Sequence, residues 1–69
     1  MVYIATFFSH FGAIRFKKEM DGKVENMVLM PVPRSVSSSC GTCVRFEYGG
    51  AFDVDVSGME ELDKIIEWK

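Results

Sequence analysis

The residues best suited to chemistry are two cysteines three positions apart, Cys40 and Cys43. They follow a stretch from Pro31 to Ser39 that consists of prolines, valines, serines and one arginine. A thiolate is both a nucleophile and a metal ligand, and its reactivity depends on the charges and the exposure around it. This loop therefore carries any functional hypothesis that the sequence supports.

The residues alone leave four roles open for the cysteine pair. A thioredoxin-like pair opens a helix, whose N-terminus activates the first thiol, but a strand pattern from Val44 to Tyr48 follows here. A structural zinc site needs four ligands, so it would require a dimer or the one histidine, His10. Both thiols can instead be small buried side chains. The fourth role is a nucleophilic or carrier thiol.

The carrier hypothesis has a physical basis in the composition of the loop. A carrier must present one thiolate where the active site of a partner can reach it. Arg34 and Arg45 would favour the thiolate form of Cys40 by their positive charge, and Cys43 would then be a resolving thiol. The residues predicted to bind the persulfide, perselenide or another anion through hydroxyl and N–H groups are Ser37, Ser38, Ser39 and Gly41.

His10 is a candidate acid or base for this loop. It follows the first predicted strand and begins the first predicted helix. Imidazole exchanges protons near neutral pH, so His10 would assist the thiol if the fold places it nearby. A surface or helix-capping role is the alternative.

Size and composition limit the remaining possibilities. The chain has 69 residues, so we expect one domain over residues 1–69, and its net charge of −2 gives no basic field for nucleic acid. No apolar run approaches the roughly 18 residues of a membrane span, and the start resembles a strand rather than a signal peptide. We expect a cytoplasmic protein with reduced thiols, protein partners, and no cofactor or metal. A homodimer is an open alternative, since so small a core often needs support.

The first half of the chain predicts a strand, a helix and a second strand. Val2 to Phe8 is apolar enough for a central strand covered on both faces. Ser9 is the predicted N-cap of a helix from His10 to about Met20, which Asp21-Gly22 ends. Met27 to Met30 predicts a short strand, ended by two prolines. The apolar stripe of the helix consists of Ala13, Phe16 and Met20, with Ile14 beside it.

The second half predicts two strands and a final helix. Cys43 to Tyr48 alternates, with Val44, Phe46 and Tyr48 on one face. Gly49-Gly50 predicts a hairpin to a strand from Ala51 to Val56. Ser57 and Glu60 fit a capping box that opens the final helix. The apolar face of that helix would consist of Met59, Leu62, Ile65 and Ile66.

The predicted element order is β-α-β-β-β-α. Two amphipathic helices and a small sheet bury their apolar faces best when both helices pack on one side of the sheet. We therefore predict an α+β two-layer sandwich with a three- to four-stranded sheet and two helices on one face. Its topology would be a truncated ferredoxin-like fold.

The loop closely resembles a known protein family. The segment Pro31-Val-Pro-Arg-Ser-Val-Ser-Ser-Ser-Cys-Gly41, followed by a strand with Arg45-Phe46, is similar to the selenium/sulfur carrier protein-like family of small bacterial and archaeal proteins. The loop motif is specific, whereas the matching first strand and helix are generic. The resemblance covers about residues 2–48, and its further points are Thr6-Phe7, Ser9-His10, Ala13-Ile14 and Lys18.

The resemblance implies that Cys40 carries sulfur or selenium for delivery to an enzyme that uses it. The chain departs from the family pattern in two ways: it inserts Gly49-Gly50 and residues Ala51 to Val56, and Cys43 is not required by the motif. We interpret the chain as a non-enzymatic carrier, because the sequence offers no catalytic triad or substrate pocket. A small dithiol redox protein and an interaction module with inactive thiols are the alternatives.

Overall fold

The fold consists of a four-stranded antiparallel sheet with one helix packed on one of its faces. The computed structural model describes residues 1–36 and 41–68. The strands follow the order β2-β3-β1-β4 across the sheet, and every neighbouring pair is antiparallel. The α+β class and the small sheet are confirmed. The elements are β1 (Val2–Phe7), α1 (His10–Glu19), β2 (Glu25–Pro31), β3 (Thr42–Glu47) and β4 (Leu62–Glu67).

Strand β1 is a central strand, as its apolar sequence predicts. It pairs with β3, where Ala5 lies opposite Val44 and Thr6 opposite Cys43, and on its other side with β4. From Tyr3 to Phe7 every residue is buried. A strand with neighbours on both sides and cover on both faces needs apolar side chains in both directions.

Helix α1 begins and ends where the sequence predicts. The Ser9 hydroxyl accepts a hydrogen bond from the Gly12 amide at 3.2 Å and so caps the helix. After the helix, Gly22 adopts a φ of +84°, a left-handed conformation that glycine reaches without steric cost. Ala13, Phe16 and Met20 are buried, as predicted, but Ile14 is about half exposed.

The core lies between α1 and the facing side of the sheet. The Phe16 ring packs between the rings of Phe7 and Phe46, with centroid distances of 5.3 and 5.7 Å. Burying each aromatic side chain contributes on the order of 1.5–3 kcal/mol. None of the described helices is long and apolar enough to cross a membrane.

The predicted hairpin strand from Ala51 to Val56 is wrong. This segment has no regular secondary structure, and Phe52 packs instead on the rings of Tyr3 and Phe46. The reason is topological, because β1 and β2 already pair with the two edges of β3. A hairpin partner after Gly49-Gly50 would need a free edge of β3, and neither edge is free.

The predicted final helix is also wrong, so the described residues contain one helix rather than two. Leu62–Glu67 forms strand β4, which takes the open edge of β1. Its helix-like spacing of apolar residues has a local cause. The register shifts after Thr6, so that Asp63 is an extra residue and Leu62 falls on the same face as Ile65. The truncated ferredoxin-like topology stays a prediction.

The capping box that predicted this helix makes other contacts. The Ser57 amide donates to the Asp55 carboxylate at 2.9 Å, which forms a local turn. Glu61 then ties the start of β4 to the start of α1. Its carbonyl accepts from the Phe8 amide at 2.8 Å, and its carboxylate accepts from the Ser9 hydroxyl at 2.7 Å.

Candidate functional site

The cysteine loop joins the sheet at the end where α1 begins. Strand β1 ends there and the antiparallel strand β3 begins there, and β2 also ends there because it is antiparallel to β3. The Val32 amide donates to the Gly41 carbonyl at 3.0 Å, so the two ends of the loop are joined by a hydrogen bond. Four predicted site residues, Ser37, Ser38, Ser39 and Cys40, lie between these ends and outside the described residues.

The described parts of the loop have a defined backbone. The Val36 amide donates to the Pro33 carbonyl at 2.9 Å, which forms a turn with Arg34 inside it. The Arg34 side chain is exposed. At the other end Gly41 has a φ of +75°, where a side chain would add strain. The glycine next to Cys40 therefore has a conformational reason for its identity.

His10 lies beside the C-terminal end of the loop. Its Nδ1 atom is 3.4 Å from the Thr42 hydroxyl oxygen, and the tautomer of the ring decides which of the two groups donates. Thr42 is two residues after Cys40 in the sequence. The fold thus brings the predicted acid or base close to the end of the predicted carrier segment, while leaving its side chain exposed.

Cys43 occupies a different environment. It lies in β3 opposite Thr6 of β1 and Met30 of β2, on the sheet face away from α1, and none of its surface is exposed. Its Sγ atom lies 3.8 Å from the Pro31 carbonyl oxygen, to which the thiol donates. The Cys43 thiol is therefore not exposed to a partner protein in this structure.

Arg45 lies deeper in the sheet than His10. It is two residues beyond Cys43 on the same face, opposite Ile4 and Val28. A strand rises about 3.3 Å per residue, which puts Arg45 roughly 10 Å along β3 from Thr42. The structure therefore places His10 at the loop end, Arg34 within the loop, and Arg45 away from its end.

Among residues 1–36 and 41–68, two groups with shifted pKa values lie away from the loop. The Tyr48 hydroxyl donates to the Asp53 carboxylate at 2.5 Å, and this hydrogen bond raises the pKa of Tyr48. Hydrogen bonds from Ser57 lower the pKa of Asp55. Tyr48 follows β3 at its far end, so neither group takes part in the loop site.

The described residues form no metal site, and the groove beside β4 does not include the predicted site residues. Among them, no group of three or more histidine, cysteine, aspartate or glutamate side chains is arranged to hold a metal ion. A groove of about 610 Å³ lies beside β4, lined by Tyr3, Phe52, Val56, Leu62 and Ile65 among others. None of the predicted site residues contributes to its described lining.

Sequence reasoning missed two features near the loop. The contact between His10 and Thr42 joins residues 32 positions apart, and no sequence pattern links them. The second feature is the exposure of apolar residues on α1, where Phe11 is 76% exposed. A helical wheel shows that Phe11 lies opposite the stripe formed by Ala13 and Phe16, and this was the available signal.

Comparison with known proteins gave one match. Residues 2–54 match the model of a protein family described as "Putative Se/S carrier protein-like". This range includes the whole loop, both cysteines, His10 and both arginines considered above. Searches of the curated proteins and of the solved structures found no match.

Proposed function

Because the chain belongs to the family described as "Putative Se/S carrier protein-like", we propose that it carries sulfur or selenium on Cys40 and delivers it to a partner enzyme. The match over residues 2–54 is the observation that carries this proposal. The whole chain would act as one carrier domain in the cytoplasm, where thiols stay reduced. Its partners would be a donor protein and an acceptor enzyme.

The proposed loading step is a transfer between two thiols. The Cys40 thiolate attacks the outer sulfur atom of a persulfide on the donor protein. A new sulfur–sulfur bond forms at Cys40, the bond to the donor cysteine breaks, and the donor leaves as a thiolate with the electron pair. No external oxidant or reductant takes part. Selenium would transfer in the same way, to give a perselenide.

The residues around the loop support this step. A thiolate needs a group that removes the thiol proton, and the imidazole of His10 lies beside Thr42, two residues after Cys40. Arg34 lies in the turn on the other side of the loop and adds positive charge, which favours the thiolate. Ser37, Ser38 and Ser39 would supply hydrogen bonds to the persulfide.

The burial of Cys43 fits a carrier that transfers sulfur on Cys40 alone. In a dithiol redox protein the second thiol attacks the mixed disulfide formed at the first, so it needs access to Cys40 rather than to a partner, and the experiment below distinguishes the two functions. Cys43 is wholly buried in the sheet beside Thr6 and Met30. In this proposal Cys43 packs the sheet and takes no part in the transfer.

The deciding experiment measures the intact mass of the reduced protein after incubation with a cysteine desulfurase and cysteine, and then with the enzyme and selenocysteine. Cys40→Ser and Cys43→Ser are treated in parallel. The expected result is the gain of one sulfur or selenium atom, removable by dithiothreitol and absent only in Cys40→Ser. A loss of two hydrogen atoms that needs both cysteines would establish a redox dithiol instead. No change in mass would leave an interaction module.

A further inference from the structure

The outer face of α1 is unusually apolar at its N-terminal end. Phe11 is 76% exposed and Ile14 is 48% exposed, and Phe8, just before the helix, is 53% exposed. A surface helix ordinarily turns polar residues to water. Single exposed apolar side chains are common, but a contiguous group marks a surface that binds something. We call Phe8, Phe11 and Ile14 the apolar patch.

The apolar patch lies at the same end of the sheet as the cysteine loop. Phe11 directly follows His10, whose ring is 3.4 Å from the Thr42 hydroxyl. Phe8 follows β1 two residues after Thr6, which pairs with Cys43. A protein seated on the patch would therefore lie beside Thr42, at the C-terminal end of the cysteine loop.

Positive charge continues the patch along the helix. Lys17 and Lys18 are three and four residues after Ile14, and Arg15 is four residues after Phe11, so these side chains are neighbours on the helix surface. All three are exposed. Within residues 1–36 and 41–68, none of them pairs with a carboxylate. Glu19 ends the helix and Asp21 lines a groove with Ile14, Lys17 and Lys18, so three positive and two negative side chains lie on this surface, whereas the net charge of the chain is −2.

We propose that the outer face of α1 is the docking surface for the donor protein that loads Cys40. The donor would present an apolar surface bordered by aspartate and glutamate side chains, because that surface matches both the apolar patch and Arg15, Lys17 and Lys18. Attraction between opposite charges speeds association and weakens as salt is added. This inference rests on the proposed function and names the face that its donor uses.

The test compares two routes of loading Cys40. In the first, inorganic polysulfide supplies the sulfur and no protein docks. In the second, a cysteine desulfurase from the same organism, already carrying its persulfide, is the donor. The variants are Phe11→Ser, Ile14→Ser and the double variant Lys17→Glu/Lys18→Glu. Val28→Ser is the matched control, since Val28 is as exposed as Ile14, at 48%, but lies on β2.

We expect Phe11→Ser and Ile14→Ser each to slow enzymatic loading about tenfold, which is typical for a residue in the centre of an interface. The double variant Lys17→Glu/Lys18→Glu should slow enzymatic loading by a similar factor, and the loading rate should lose most of its dependence on salt concentration. Polysulfide should load every variant at the wild-type rate. Val28→Ser should be loaded at the wild-type rate by both routes.

Any other outcome contradicts either the docking proposal or the carrier function. If the patch and lysine variants take sulfur from the enzyme at the wild-type rate, α1 is not the docking surface, while the carrier function stands. Enzymatic loading of the wild type that does not slow as salt is added also refutes the docking proposal. Failure of both routes on the wild type overturns the carrier function and the docking proposal with it.

Discussion

The imidazole Nδ1 of His10 lies 3.4 Å from the hydroxyl oxygen of Thr42, and this contact joins the start of α1 to the first residue of β3. The two residues are 32 positions apart in the chain. Because Thr42 lies two residues after Cys40 in the sequence, the contact places an imidazole beside the C-terminal end of the cysteine loop.

Replacing His10 should slow the loading of Cys40. For His10→Gln we expect a loss of about tenfold in the loading rate near neutral pH, because an ordinary thiol is already a few per cent thiolate there and this limits what a base can add. Loading of the variant should recover as the pH is raised, since hydroxide then forms the thiolate. The measurement is the rate of mass gain from polysulfide between pH 6 and 9, roughly the range over which a thiol ionises.

Thr42→Val tests whether the hydroxyl positions the ring. It should give a smaller loss than His10→Gln with the same recovery at high pH, since the base is still present but is held less well. If both variants load like the wild type at every pH, His10 has no part in the reaction.

Replacing Cys43 should affect stability rather than loading. Cys43 lies in β3, the strand between β1 and β2, and its side chain is wholly buried. Its thiol donates to the Pro31 carbonyl. Cys43→Ala removes buried volume and should lower the free energy of unfolding by about 1 kcal/mol. Urea denaturation measures this change. Loading of Cys40 in folded Cys43→Ala should equal that of the wild type, and its loss would show that Cys43 is a working thiol.

Gly12 should be intolerant of a side chain. A Cβ atom built at Gly12 would lie 2.4 Å from the Cβ atom of Glu61, so α1 and the start of β4 would have to separate. We expect Gly12→Ala to lower the free energy of unfolding by about 1–3 kcal/mol, despite the better helix propensity of alanine.

Gly58→Ala is the matched control for this substitution, because nothing lies within 4 Å of a Cβ at Gly58 and its φ is not in the left-handed region. It should be neutral or slightly stabilising. Equal thermal unfolding midpoints for the two variants would show that Glu61 moves away at no cost.

Tyr48 should ionise at unusually high pH. The hydrogen bond to Asp53 raises its pKa above the usual 10.0, because the bond and the nearby carboxylate favour the neutral phenol. The resulting stabilisation is complete below pH 10 and is lost as the pH rises through the pKa of the folded state. Absorbance titration of tyrosine should show a late transition that is absent in Tyr48→Phe and moves to lower pH in Asp53→Asn. A wild-type transition at the usual value would contradict this assignment.

Much of the first half of the chain was predictable from its sequence. The apolar run in β1, the Ser9 cap and the glycine at position 22 are local signals, and each acts within a few residues. Alternation in β3 correctly predicted that Val44 and Phe46 share a buried face. Such patterns are reliable because they depend on the periodicity of one element and not on its neighbours.

The second half was mispredicted because its structure depends on which strand edges are free. Leu62, Ile65 and Ile66 have the spacing of a helix face, but the extra residue at Asp63 gives the same spacing in a strand. Residues 51–56 alternate like a strand, yet β1 and β2 already occupy both edges of β3. Neither the extra residue in β4 nor the pairing of both edges of β3 can be recognised from a local sequence pattern.

Local sequence patterns were sufficient to predict the first strand, the first helix and the family to which the chain belongs. The contact of His10 with Thr42 and the burial of Cys43 required the folded chain. Motifs and periodicities are properties of neighbouring residues. Proximity and burial depend instead on how distant segments pair, and strand pairing sets these for the whole chain at once.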